Sequence, residues 1–180
     1  MDASLTHWIN SAAGVSPLLD RTMIVISQIG VPAMVLAVVL QWWSPGERRH
    51  VRHAALCAGL SFLLGLAINQ FILLFIHRMR PYDAGLTHLL IAPTVDWSFP
   101  SDHATASMAI VAAFALQALP RRTLALFVAA ILVCWSRIYL GTHYVSDVVG
   151  GAVTAAIAAV VVRLAYRENS RLDAFATRIL

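Results

Sequence analysis

Charge is almost absent from five long stretches of this chain, and that limits what it can fold into more than any other feature. The stretches lie at roughly 20–43, 53–76, 104–119, 123–140 and 145–166. A helix rises about 1.5 Å per residue, so crossing the hydrocarbon of a bilayer takes about 20 residues, with about 17 as a lower limit. The segment at 104–119 sits near that limit. Only 12% of the 180 residues are charged and 59% are hydrophobic, whereas a soluble domain is about one quarter charged. The pattern predicts an all-α polytopic membrane bundle of five transmembrane spans, forming one domain over residues 1–180. Residues 4–13, with Leu5, Trp8, Ile9 and Ala12 separated by polar residues, read as a short amphipathic helix in the interface.

The loops suggest an orientation. Every basic residue other than histidine is arginine. Arg48, Arg49 and Arg52 lie between the first two spans, Arg121 and Arg122 between the third and fourth, and Arg163, Arg167, Arg171 and Arg178 at and beyond the end of the fifth. Five spans place these regions on one face, which the positive-inside rule makes cytoplasmic. The net charge of +4 is thus better explained by topology than by nucleic acid, which is not expected as a partner. Cys57 and Cys134 fall inside apolar runs and read as buried small hydrophobes. Met1 to Gly14 lacks the basic start and long apolar core of a cleaved signal peptide.

Three short stretches at the opposite span ends hold most of the chemistry: Arg78-Met79-Arg80-Pro81, Phe99-Pro100-Ser101-Asp102-His103, and Ser136-Arg137 followed by His143 and Asp147. Ionisable residues at such places mark a functional site. His143 and Asp147 are spaced i, i+4, which on a helix puts both on one face. A carboxylate there would fix the imidazole tautomer and support its charged form. Ser101 is placed to cap the third span. Backbone N–H groups at that helix start attract anions, with His103 placed to protonate a leaving oxygen. Arg80 and Arg137 could grip phosphate oxygens bidentately. Taken singly, each group also has a plainer role: a His–Asp pair satisfying itself, a capped helix with an interfacial histidine, arginines snorkelling to headgroups. The loop from Pro81 to Pro100 lies on the same side. It carries Asp83, His88 and Asp96, with Trp97 and Phe99 as candidate interface anchors. Gly150 and Gly151 suggest close helix packing.

In order and spacing these residues resemble the type-2 phosphatidic acid phosphatase superfamily, whose pattern is Lys-x6-Arg-Pro, Pro-Ser-Gly-His and Ser-Arg-x5-His-x3-Asp. The resemblance covers roughly residues 53–160 and the third motif matches fully. It implies that His143 attacks phosphorus and forms a phosphohistidine, that Asp147 orients it, and that His103 protonates the leaving group. Arg80, Arg137, Ser101 and backbone N–H groups near Asp102 would hold the phosphate. No metal and no cofactor is implied. Asp102, His103, His143 and Asp147 are suitable metal ligands by type, but the pattern uses each histidine otherwise.

The chain departs from the family pattern at two positions. Leu73 stands where the family has lysine, and Asp102 where it usually has glycine. Arg78, Asn69 or Gln70 are candidates to compensate for the lysine, and an Arg78–Asp102 pair would relieve the carboxylate's repulsion of a phosphate. Asp102, Asn69-Gln70 and the run from Phe99 to Thr105 resemble the bacterial undecaprenyl-diphosphate phosphatase subgroup, which includes bacitracin-resistance proteins. The expected substrate is therefore a polyprenyl diphosphate lipid, and the expected location is the bacterial inner membrane, with the site facing the periplasm. The alternatives are phosphatidylglycerophosphate, phosphatidic acid or a lipid A phosphate as substrate, or a non-catalytic lipid-binding role.

Overall fold

The computed structural model describes residues 1–46 and 48–178, and among them it is all-helical with no strand. The helices are α1 (Asp2–Asn10), α2 (Pro17–Leu40), α3 (Arg48–Leu73), α4 (Asp102–Leu116), α5 (Pro120–Tyr139), α6 (Val145–Ala165) and α7 (Arg171–Ala176), with a 3-10 turn at Gln41–Trp43 after α2. Four of them, α2, α3, α5 and α6, are long and apolar enough to cross a membrane.

The helix within the expected span at 104–119 is shorter than that stretch and is not among these four. Helix α4 has 15 residues and ends at Leu116, which gives it a length of about 22 Å. Ala118 adopts φ 54°, turning the chain before Pro120 starts α5 at its first position. Helix α4 is central rather than lipid-facing. Ala104, Ala106, Ala109, Ile110, Ala113 and Phe114 are all buried, and it packs against α3, α5 and α6. Small residues permit this. A Cβ on Gly151 of α6 would lie 2.7 Å from the Ser101 carbonyl oxygen and 2.9 Å from Thr105 Oγ1, so α4 and α6 touch backbone to backbone.

The ends of the bundle are both polar, and they differ. At one end Arg122 donates to Gln41 and Ser44, Arg52 donates to the Thr177 carbonyl, and His50 meets Glu168 at 2.9 Å. Helix α3 begins at Arg48, earlier than the expected 53, because this end buries polar groups instead of shedding them. His53 is fully buried and bonds Asp173 of α7 at 2.8 Å. Cys57 and Cys134 are buried and free, as expected.

At the other end α1 lies across the mouth of the bundle with its polar side inward. Thr6 and Asn10 are buried, while Leu5 and Trp8 are exposed, leaving the apolar side for the lipid interface. Asn10 fixes the helix by donating to the His88 and Tyr139 carbonyls and accepting from the His88 N–H. The loop 81–100 packs on this end. Phe99 is not an interface anchor: its ring lies on Gly150, where a Cβ would meet it at 2.4 Å. Trp97 is 45% exposed and suits the anchoring role.

Candidate active site

The three motifs converge at the α1 end around a cavity of about 140 Å³. Its lining includes Leu73, Arg80, Asp96, Asp102, His103, Arg137 and His143. Helix α3 delivers Leu73 at its last turn, α4 delivers Asp102 and His103 at its first, and α5 delivers Arg137 at its last. Ser101 caps α4, accepting from the Ala104 N–H, as expected.

His143 is not on a helix. It precedes Tyr144, the N-cap of α6, and Asp147 is the third residue of that helix in a capping box. Asp147 Oδ2 accepts from the Tyr144 N–H at 2.8 Å and from the Ser98 hydroxyl at 2.5 Å. It stands 3.6 Å from His143 Nδ1. The shorter bond from Nδ1 goes to the Ser98 carbonyl, at 2.8 Å. A carbonyl only accepts, so Nδ1 carries the proton and Nε2 holds the lone pair. Arg80 Nη1 faces that Nε2 at 3.3 Å. Burial pushes the imidazole below the usual histidine range; Arg137 and Arg80 push it the same way and Asp147 opposes them. His143 is thus neutral at neutral pH, with its free nitrogen turned to the cationic side.

Arg80 is buried and held on several sides. It donates to the Thr142 carbonyl at 2.9 Å, to the Asp96 carbonyl at 3.0 Å and to the Asp96 carboxylate at 2.9 Å. Burial opposes ionisation of Asp96, but the bond from Thr94 and the charge of Arg80 outweigh it and hold its carboxyl below the ordinary range. Arg137 donates to the Ser27 hydroxyl at 2.5 Å, and its Nε is buried without a partner. Ser27 of α2 thus supports Arg137 from across the bundle.

The expected Arg78–Asp102 pair does not form. Asp102 accepts from Asn69 of α3 at 2.7 Å. Arg78 is engaged elsewhere, by Asp147 Oδ1 and Asp2 Oδ2, each at 2.7 Å. It is absent from the cavity lining, whereas Leu73, at the lysine's position, lines the wall. Among the described residues no cluster of three or more His, Cys, Asp or Glu side chains is disposed around a common metal position. Sequence reasoning passed over Asp2, Ser27 and Ser98. Ser27 and Gln28 interrupt an apolar span, a signal that could have been used. Asp2 and Ser98 sit in unpatterned segments and gave none.

Residues 54–171 match the PAP2 superfamily. The chain belongs to that family. Among PAP2 relatives it is 36% identical to undecaprenyl-diphosphatase BcrC of Bacillus subtilis over 78% of this chain and 71% of that protein. It is 30% identical to the putative undecaprenyl-diphosphatase YbjG of Escherichia coli over 87% of this chain and 78% of that one. The PAP2-type phosphatidylglycerolphosphate phosphatase of Bacillus subtilis superposes with a TM-score of 0.67 at 25% identity, covering 93% of this chain and 87% of that one. The LpxE structure from Aquifex aeolicus gives 0.66 at 25% identity, covering 92% and 95%. The chain is accordingly a membrane PAP2 lipid phosphatase. Its outermost supports, Asp2 and Ser27, fall outside the matched residues.

Proposed function

We propose that this PAP2 protein hydrolyses undecaprenyl diphosphate to the monophosphate and inorganic phosphate, at a site facing the outside of a bacterial inner membrane crossed by five spans. The observation that carries the chemistry is the tautomer of His143, with Nδ1–H tied to the Ser98 carbonyl and Nε2 free beside Arg80. Nε2 attacks the terminal phosphorus, and the bond to the bridging oxygen breaks. His103 gives that oxygen a proton and the monophosphate lipid leaves. Water then attacks the phosphohistidine, His103 takes its proton, and phosphate and free His143 are regenerated. Asp147 stabilises the imidazole charge as it develops.

Arg80, Arg137, Ser101 and the N–H groups at the start of α4 grip the phosphate oxygens, and a bound oxyanion supplies an acceptor for the Arg137 guanidinium. Asp102, turned to Asn69, is held by a donor and does not face the phosphate uncompensated. The cavity takes the phosphate headgroup while the polyprenyl chain stays in lipid. BcrC and YbjG favour the polyprenyl diphosphate over phosphatidylglycerophosphate or a lipid A phosphate, which the two structural neighbours bring forward as the second reading.

The test is phosphate release by purified protein in detergent with EDTA, from undecaprenyl diphosphate and from those two lipids. Fast release from the diphosphate, lost in His143→Ala, supports the proposal. Preference for a monophosphate lipid replaces the substrate, and loss of turnover in EDTA replaces the mechanism.

A further inference from the structure

We propose that Arg78, locked by Asp2 of the N-terminal helix, is a positioning residue that sets the Asp147–His143 pair, so that α1 is part of the catalytic machinery. The inference rests on the phosphatase reading for its catalytic meaning, but its geometry is independent of any substrate.

The guanidinium of Arg78 is divided between two carboxylates. Nη2 meets Asp2 Oδ2 at 2.7 Å, while Nη1 meets Asp147 Oδ1 at 2.7 Å and Ser146 Oγ at 2.6 Å. Its Cζ lies 3.8 Å from the centre of the Tyr144 ring. A guanidinium so bonded and stacked has a fixed plane. Asp2 also reaches the first turn of α6, accepting from the Ser146 N–H at 3.0 Å and from its hydroxyl at 2.5 Å. Helix α1 cannot slide along these bonds, because Thr6 accepts from the Val145 N–H and Asn10 holds the Tyr139 and His88 carbonyls. Asp147 is thereby gripped at both oxygens: Oδ1 by Arg78, Oδ2 by Ser98 and Tyr144, with His143 beyond. Burial works against charge on both Asp2 and Arg78, yet their bonds hold Asp2 below the ordinary carboxylate range and Arg78 above the ordinary guanidinium range.

The arrangement gives two variants opposite signs. The charged or titratable groups around His143 are Arg80 and Asp96 beside it, Arg137 from α5, Asp102 and His103 from α4, and Asp147 from α6, with the Asp2–Arg78 pair and Tyr144 behind Asp147. Asp2→Asn leaves the Arg78 charge balanced by Asp147 alone, so Asp147 supports imidazolium less and His143 titrates lower. Arg78→Gln frees the Asp147 charge to act on His143, which titrates higher.

The experiment is a 15N NMR titration of the 7 histidines in detergent-solubilised protein, with His143 assigned by its loss in His143→Gln, beside kinetics on the lipid the protein turns over. Shifts of about 0.5 unit or more are expected, downward in Asp2→Asn and upward in Arg78→Gln. Asp2→Glu should restore the unaltered value, and Asp83→Asn, on the exposed part of the loop, should leave it alone. kcat falls about tenfold in both charge variants with KM within about twofold, the size of effect that removing an orienting partner usually has. Variants are compared only where size-exclusion profile and unfolding temperature match the unaltered protein, and Arg78→Lys serves if Arg78→Gln does not fold, with kcat lowered but the titration kept. A titration that does not move in Asp2→Asn, or that moves the same way in Asp2→Asn and Arg78→Gln, overturns the proposal, and so does a kcat for Arg78→Lys within about twofold of the unaltered protein. Because the titration is read in the resting protein, failure of the unaltered protein to release phosphate would instead overturn the function above.

Discussion

Replacing Gly151 by alanine should cost activity in the molecules that stay folded, as well as stability. The added Cβ would lie 2.7 Å from the Ser101 carbonyl oxygen, 2.9 Å from Thr105 Oγ1 and 3.0 Å from Ala104 Cβ, all inside an ordinary contact of 3.4 Å. The carbonyl is backbone and cannot swing aside, so α4 must move off α6 by several tenths of an ångström. Overpacking of this kind costs about 1–3 kcal/mol. The same displacement moves His103, two residues from Ser101, relative to His143, and a misplacement approaching ~1 Å costs about 100-fold. We therefore expect kcat to fall roughly 10- to 100-fold in protein that remains folded, measured as phosphate release at saturating lipid beside thermal unfolding. Gly59→Ala is the control. It meets nothing within 4 Å and should raise stability by about 0.5–1 kcal/mol through helix propensity with kcat unchanged. A kcat for Gly151→Ala within twofold of the unaltered protein would refute the claim that α4 and α6 set the spacing of the two histidines.

Other expectations follow from the same geometry. Since burial and the two arginines hold His143 below the usual histidine range, it stays neutral as pH falls past ~6.5. The acidic limb of kcat/KM should therefore lie below that value, and a limb at or above neutrality would count against the neutral nucleophile. Asp96→Asn removes the half-exposed carboxylate paired with Arg80 and should lower KM a few-fold, by about 1 kcal/mol or less given its solvent exposure; a raised KM would mean that Asp96 orients Arg80 rather than competing with phosphate. Asp173→Ala strands the buried His53 Nδ1, the Tyr166 hydroxyl and the Asn169 N–H. It should lower stability by about 1–3 kcal/mol by thermal unfolding, with kcat of the folded fraction unchanged because the site is at the other end.

The span pattern was legible because burial in lipid suppresses charge, and the motif spacings because three chain turns must each end at one cavity. What the sequence concealed was decided by tertiary partners. Residues 104–119 are as apolar as a span, yet the turn at Ala118 shortens the helix, and its enclosure by α3, α5 and α6 removes any need to match the bilayer. The i, i+4 spacing of His143 and Asp147 suggested one helix face, whereas the pair forms across a helix start, with the capping bond of Asp147 setting its angle. Arg78 looked like a phosphate ligand because nothing in its neighbourhood announced Asp2, which lies 76 residues away. His50 and Arg52 looked like loop residues, and His53 like the start of a span, because their partners, Glu168 ahead of α7, Asp173 within it and Thr177 just after it, follow more than a hundred residues later.

Ser98 holds the His143 imidazole with its main chain and the Asp147 carboxylate with its side chain. A lid built from that stretch would disarm the enzyme each time it lifted. The proposed attack therefore needs this segment in place while the imidazole acts, and a headgroup has to enter without lifting it.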